Sequence, residues 1–355
     1  MKIVFLHMTM GLVNRGSEIS TDLLARSLSK NLEVLVIQSG PITQKPYTVK
    51  RVYPLQSAPS PAPTTLVQKS RSRLYIDDAS LKIKQFTIAA LPSIHHFGPN
   101  IIVATNGLPQ LRILQGQTLQ AKVVVFGRAG IGYHDADNLA AQPDLFIALS
   151  SAAETWANHR KKDLTRVVMI PNPLDIASFQ KLKKINLGLK GPIVMTVGAL
   201  SNYKNIHKVI EATYQIQASL LLVGDGEEHS HISSLLSKMS NNFRWIKHLE
   251  PEELSSYYLS VDAFCFIPGA QEAFGRVYLE AMAAGLPIVA SDDPIRRSIV
   301  GRQGIYVNPQ NISQVIRGIN LALTKGKINY AKELVPYQPE TILAQLTKEF
   351  HALIE

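Results

Sequence analysis

Short apolar runs recur through this chain, each ending in a glycine- or asparagine-bearing loop that opens a helical pattern. The runs fall at residues 2–7, 32–37, 100–104, 122–126, 144–149 and 165–170. They resume at 193–197, 220–223, 263–267 and 286–290. Uninterrupted Val/Ile/Leu, rather than alternation with polar residues, is what a strand needs when both faces of its sheet are covered. Strands alternating with helical segments in this order predict an α/β chain of doubly wound, Rossmann-like units with parallel sheets. At 355 residues there is enough chain for two such domains, each with its own core.

Composition narrows the class. With 46% apolar and 18% charged residues, the chain reads as an ordinary globular protein. The single cysteine, Cys265, sits inside an apolar run and excludes an intrachain disulfide, which suits a reducing cytoplasm. The N-terminal run resembles a secretion signal only superficially; it is short and lacks a cleavage site, so a first strand is expected. No apolar stretch approaches the length of a membrane span. The net charge of +10 is uneven: residues 1–170 hold 19 Lys/Arg against 10 Asp/Glu. A basic first half predicts an anionic partner there, either a lipid-phosphate acceptor or the inner membrane leaflet, with nucleic acid disfavoured. Lys69-Ser70-Arg71-Ser72-Arg73 and His159–Lys162 carry much of that charge.

The stretch from Gly269 to Ser291 concentrates the chemistry. Glu272 lies ahead of a helix expected over 274–284, Glu280 lies about two turns (~11 Å) into it, and Gly285 stands where a helix stop belongs. Carboxylates so spaced cannot share a proton or a metal, yet they can hold two ends of one elongated ligand. The helix start between them is a natural anion site, and Phe274-Gly275 permits close backbone approach. An anion flanked by hydroxyl-rich groups describes a nucleotide-sugar; a solvated helix with two surface glutamates is the other reading of the spacing.

The run Glu272-Ala-Phe274-Gly275-Arg276-Val-Tyr-Leu-Glu280-Ala-Met-Ala-Ala-Gly285-Leu-Pro-Ile-Val-Ala resembles the Glu-x7-Glu signature of retaining glycosyltransferases of the GT-B fold, the family 4 group. That resemblance implies two Rossmann-like domains facing across a cleft. It implies that Glu280 binds the donor ribose, that Glu272 faces the transferred sugar, and that the amides near Phe274, Gly275 and Arg276 receive sugar or phosphate oxygens. Gly198-Ala199-Leu200 through Lys204 is similar to the family's Gly-Arg-Leu…Lys segment. Lys204 would contact the donor diphosphate and Gly198 would border it, while Ala199 stands in place of an arginine. Pro171-Asn172-Pro173-Leu174-Asp175 and Gly224-Asp225-Gly226 also match. No metal or cofactor is implied beyond the nucleoside-diphosphate sugar.

The N-terminal loop carries neither of the commoner nucleotide motifs. Gly-x-Gly-x-x-Gly is missing there, and although Gly11 and Gly16 have P-loop spacing, Ser17 occupies the lysine position. By resemblance, Gly16 and Glu18 border the donor phosphates. Three glycines, Arg128 and His134 follow the run at 122–126, and related transferases place a functional histidine in this part of the first domain; His134 is the candidate. His95-His96 and His229/His231 lack metal-site partners at the right spacing.

The expected organisation is an acceptor-side domain over 1–170, a hinge at 171–191, and a donor-binding domain over 192–335. A terminal helix within 336–355 is expected to pack back on the first domain. A helix is expected over 65–91 and a proline-rich loop over 54–63. The function expected is transfer of a hexosyl unit from a nucleoside-diphosphate sugar to a glycan, lipid-linked or polysaccharide-precursor hydroxyl. Localisation is expected to be cytoplasmic, with peripheral contact to an anionic membrane. A non-catalytic sugar-nucleotide or glycan-binding protein, and a nucleotide-sugar 2-epimerase, stay open. The base, the sugar, the acceptor and the oligomeric state are not readable.

Overall fold

Both sheets are wholly parallel, as the unbroken apolar runs require. The computed structural model describes residues 1–58, 66–176, 183–239 and 242–355. By internal contacts the chain forms two units, Met1–Pro173 with Pro339–Glu355, and Leu174–Gln338. Residues 59–65, which hold the end of the expected proline-rich loop and the expected start of the following helix, and 177–182 of the expected hinge lie outside the described residues.

With β2 at Glu33–Gln38, β3 at Thr48–Arg51, β6 at Leu145–Ala148 and β7 at Arg166–Met169, the first unit is a seven-stranded sheet in the order β3-β2-β1-β4-β5-β6-β7. Its central strands are β1 (Lys2–Leu6), β4 (Ile101–Ala104) and β5 (Lys122–Phe126). Val4, Leu6, Ile102 and Ala104 pack on one face with Phe86, Ala90 and Ile94. Their neighbours Ile3 and Phe5 are equally buried on the other face. Each such side chain contributes about 1.5–3 kcal/mol over its exposed state, so a doubly covered strand cannot hold a charge in its centre. The helix Pro339–Ile354 belongs to this unit; it packs on the helix Gly16–Leu28 and pairs Glu349 with Arg166 at 2.6 Å.

With β10 at Phe243–Ile246 and β13 at Ile305–Val307, the second unit is a six-stranded sheet ordered β10-β9-β8-β11-β12-β13. Its relevant strands are β8 (Ile193–Val197), β9 (Ser219–Val223), β11 (Ala263–Phe266) and β12 (Ile288–Ser291). Val194, Leu220, Leu222, Cys265 and Val289 form its core with Val209 and Ile319 from flanking helices. Burial pushes the Cys265 thiol far up, so it is a small hydrophobe and not a nucleophile.

One helix differs from expectation. The pattern over 65–91 is broken into Leu66–Arg73 and Asp78–Phe97. Tyr75 takes the left-handed conformation at φ 54°, and the Asp77 carboxylate caps the second helix by accepting from the Ser80 amide at 3.1 Å. A strong N-cap inside an apolar-periodic stretch outcompetes helix continuity. The second helix then runs past the expected end to Phe97, accommodating Pro92 and stopping at left-handed Gly98.

Candidate functional site

In each sheet the strand order reverses at one point, between β1 and β4 and between β8 and β11. Open α/β sheets bind ligands outside the carboxyl ends of the strands at such a point. The residues singled out by the sequence lie on loops and helices beyond β8 and β11 in the second unit, and beyond β1 and β5 in the first.

In the second unit, two loops are stitched together beyond β8 and β11. The Gly269 amide donates to the Tyr203 carbonyl at 2.6 Å, and Asn205 Nδ2 donates to the Ile267 carbonyl at 2.8 Å. Asn205 adopts φ 55° to close the turn carrying Lys204. Gly224 is obligatory nearby, because a Cβ there would sit 2.0 Å from the Gly198 carbonyl oxygen. The result brings Lys204 against Glu272 in a largely buried ion pair, with the ammonium also about 5 Å from the centroids of the Tyr203 and Phe266 rings.

Electrostatics follow from that burial. Desolvation alone would raise the Glu272 carboxyl. The Lys204 ammonium, the Arg296 guanidinium and the Phe274 amide outweigh it and hold the group below the ordinary carboxylate range. Desolvation would likewise lower Lys204, but Glu272 keeps it above its usual value. Both are therefore charged at neutral pH.

The helix Arg276–Ala283 starts at Gly275, whose φ of 87° belongs to glycine. A Cβ there would meet the Tyr278 ring at 2.8 Å. Arg276 and Glu280 face each other one turn apart at 3.9 Å, and Tyr258 donates to Glu280 Oε2 at 3.0 Å. Burial nevertheless pushes the Glu280 carboxyl up, with Arg276 and Tyr258 only partly offsetting it. The Phe274 ring is in the core against Tyr337, so this residue can offer a ligand only its backbone.

Two partners escaped sequence reasoning. Arg296 is fully buried behind the Glu272 loop, bonding the Gly269 carbonyl at 3.0 Å and Asp293 at 3.3 Å. Tyr258 comes from a helix, Pro251–Leu259, that carries no motif. Neither lies at a spacing from Glu272 or Glu280 that a linear pattern could flag.

In the first unit, Gly16 opens the helix Gly16–Leu28 beyond β1, and His134 ends a wide turn beyond β5. His134 is largely exposed, with Nδ1 3.1 Å from the Tyr75 hydroxyl. It lines a cavity of about 380 Å³ together with Ser17, Asn106, Arg128, Asp135 and Asn138. Arg128 donates to Thr21 Oγ1 at 2.9 Å and stacks over Phe126. Asp135, which the sequence did not single out, is buried; desolvation pushes its carboxyl up to about 7 despite hydrogen bonds from the Ala129 amide and Asn138. His7 and Glu18 are buried beside this region, and burial drives the His7 imidazole down to about 4. Among the described residues no group of three or more His, Cys, Asp or Glu could hold a metal ion.

Comparison with known proteins defines the class first. The whole chain superposes on sucrose-phosphate synthase from Thermosynechococcus elongatus with TM-score 0.80, 19% identity, and 99% and 98% of the two chains covered. It superposes on HepE from Anabaena, in complex with UDP and glucose, with TM-score 0.75, 21% identity, and 99% and 100% covered. The fold is GT-B: two Rossmann-like domains with parallel sheets. Residues 178–340, which contain every second-unit site residue named above, match the family model Glycosyl transferases group 1. An uncharacterized glycosyltransferase from Haemophilus influenzae is 27% identical over 197 residues, covering 52% of this chain and 53% of that protein. The chain spans about half the length, or less, of the curated relatives it matches.

Proposed function

We propose that this chain is a retaining glycosyltransferase of the family 4 type, moving a hexosyl unit from a UDP-sugar to a hydroxyl acceptor. The observation that carries the reading is the largely buried Lys204–Glu272 pair just ahead of the helix Arg276–Ala283, which carries Glu280 past its first turn, at the switch point of the second sheet. The match of residues 178–340 to Glycosyl transferases group 1 supports it, as do the UDP and glucose bound by HepE.

In this reading Glu280 accepts hydrogen bonds from the ribose hydroxyls, and the amides around Gly275 and Arg276 with Lys204 take the diphosphate. The acceptor hydroxyl attacks the anomeric carbon on the face from which the diphosphate leaves. The bond from that carbon to the phosphate oxygen breaks, and this oxygen takes the acceptor's proton. Glu272 orients the sugar and keeps Lys204 charged. Lys204 and the helix start stabilise the charge growing on the leaving group, so no metal is assigned to the step. The acceptor, a glycan or lipid-linked hydroxyl, falls to the first unit and its Arg128–Asp135 cavity.

Ala199 favours a second reading. It is exposed and neutral where the resembling segment carries a phosphate-binding arginine, which fits a protein that binds nucleotide-sugar without transferring it. A thermal-shift panel of UDP-, GDP- and ADP-sugars, followed by an assay of nucleotide release with pooled acceptors, tests both. Stabilisation by a UDP-sugar and nucleotide release abolished in Lys204→Ala are expected. Binding with no release selects the second reading, and no binding by any sugar nucleotide removes both.

A further inference from the structure

The helix Leu66–Arg73 buries none of its residues. At 3.6 residues per turn, Leu66, Val67, Ser70 and Leu74 fall within about 100° of arc. Leu74 continues the helix, its amide donating to the Ser70 carbonyl at 3.2 Å. The three apolar side chains are 83%, 69% and 68% exposed. Ser72, on the opposite side of the helix, is only half-buried and lines the first unit's cavity. The apolar stripe therefore faces away from the body of the unit.

Charge frames the stripe. Arg71 lies just beyond one edge of it, and Lys69 and Arg73 lie beyond the other. Among the described residues none of the three is ion-paired with an acid. Ile76, at 43% exposure, extends the apolar surface past the helix end. Water is a poor solvent for three adjacent exposed aliphatic side chains, and a phosphate-rich polymer offers them nothing. An anionic lipid interface accepts both halves of the pattern, aliphatic side chains between the acyl chains and guanidinium or ammonium groups among the headgroups.

We propose that the face formed by Leu66, Val67 and Leu74, flanked by Lys69, Arg71 and Arg73, docks this chain on anionic membrane surfaces. The inference does not depend on the transferase reading. The docking is peripheral: among the described residues no helix is long and apolar enough to cross a membrane.

Co-sedimentation of the full chain with phosphatidylcholine vesicles, with and without about 30% phosphatidylglycerol, tests it. Binding to the anionic vesicles only, falling as salt rises, is expected. The variant Lys69→Gln/Arg71→Gln/Arg73→Gln should weaken partition by about five-fold per residue removed. The variant Leu66→Ser/Val67→Ser/Leu74→Ser should weaken it comparably at unchanged net charge, with circular dichroism and melting temperature preserved because these side chains are mostly exposed. Absence of binding to anionic vesicles overturns the proposal. So does binding that survives the apolar variant, which would assign adsorption to general charge, or a self-association abolished by that variant without any vesicle binding.

Discussion

Lys204 and Glu272, 68 residues apart in sequence, form a largely buried ion pair at the carboxyl edge of the second sheet. Each favours the charged form of the other against a desolvation that pushes both toward neutrality. Their cost is offset only while both are present, since removing one partner of such a pair strands a buried charge.

Lys204→Ala should therefore act twice. Transfer should lose about 2–4 kcal/mol of transition-state stabilisation, and the fold should lose about 3 kcal/mol through the stranded carboxylate. Adding Glu272→Gln to Lys204→Ala should recover much of the stability and none of the activity. Denaturant unfolding and kcat/KM on the same preparations check both. The depressed Glu272 pKa stabilises the fold above the ordinary value of 4.5, and that contribution should fade as pH drops through the folded-state value.

Arg296 is expected to position Glu272 without touching substrate. Arg296→Met removes the bond to the Gly269 carbonyl and the positive charge beside the carboxylate. The fold should lose about 2 kcal/mol, because Asp293 stays partly solvated. The acid limb of the pH–rate profile should move to higher pH as the Glu272 pKa rises. A profile unchanged in shape would leave Arg296 a structural residue only.

Gly275→Ala should cost about 2 kcal/mol or more, since φ is 87° and the new Cβ meets the Tyr278 ring at 2.8 Å. The Tyr278 hydroxyl is fixed to the Phe266 carbonyl at 2.6 Å, so the ring cannot swing aside freely. A lower melting temperature and a raised KM for the donor are expected together.

Asp135 gives a pH dependence of opposite sign to Glu272. Its carboxyl titrates near 7 in the fold against 3.8 when exposed. Between these values the folded state binds more protons than the unfolded state, so this group's contribution to stability falls as pH rises toward 7. Asp135→Asn should flatten that slope and stabilise the fold at pH 8 by an amount on the order of a few kcal/mol. Chemical unfolding of both proteins at pH 5 and pH 8 measures it.

Much of this site was legible before any coordinates. Glu272, Gly275 and Glu280 lie within nine residues, and local chemistry alone makes that span loop and helix, while the left-handed cap at Gly275 came from the structure. The pairing of Glu272 with Lys204 was not legible, because no linear spacing reports which loops meet beyond β8 and β11. The break at Tyr75 was missed because helical periodicity runs through it, and only the Asp77 cap marks it.

Sequence by itself determined the class of fold: apolar runs without alternation, punctuated by glycine, permit only parallel strands buried on both faces. It also determined that a helix follows Glu272 and stops at Gly285, and the basic character of the first half; the structure starts that helix at Arg276 rather than at Phe274. Tertiary structure decided which charges are buried and with whom, so that Arg296 stands behind Glu272 and Asp135 holds its proton near neutral pH. The reason is physical: backbone preference acts over a few residues, whereas desolvation and ion pairing depend on what the completed sheet brings into contact.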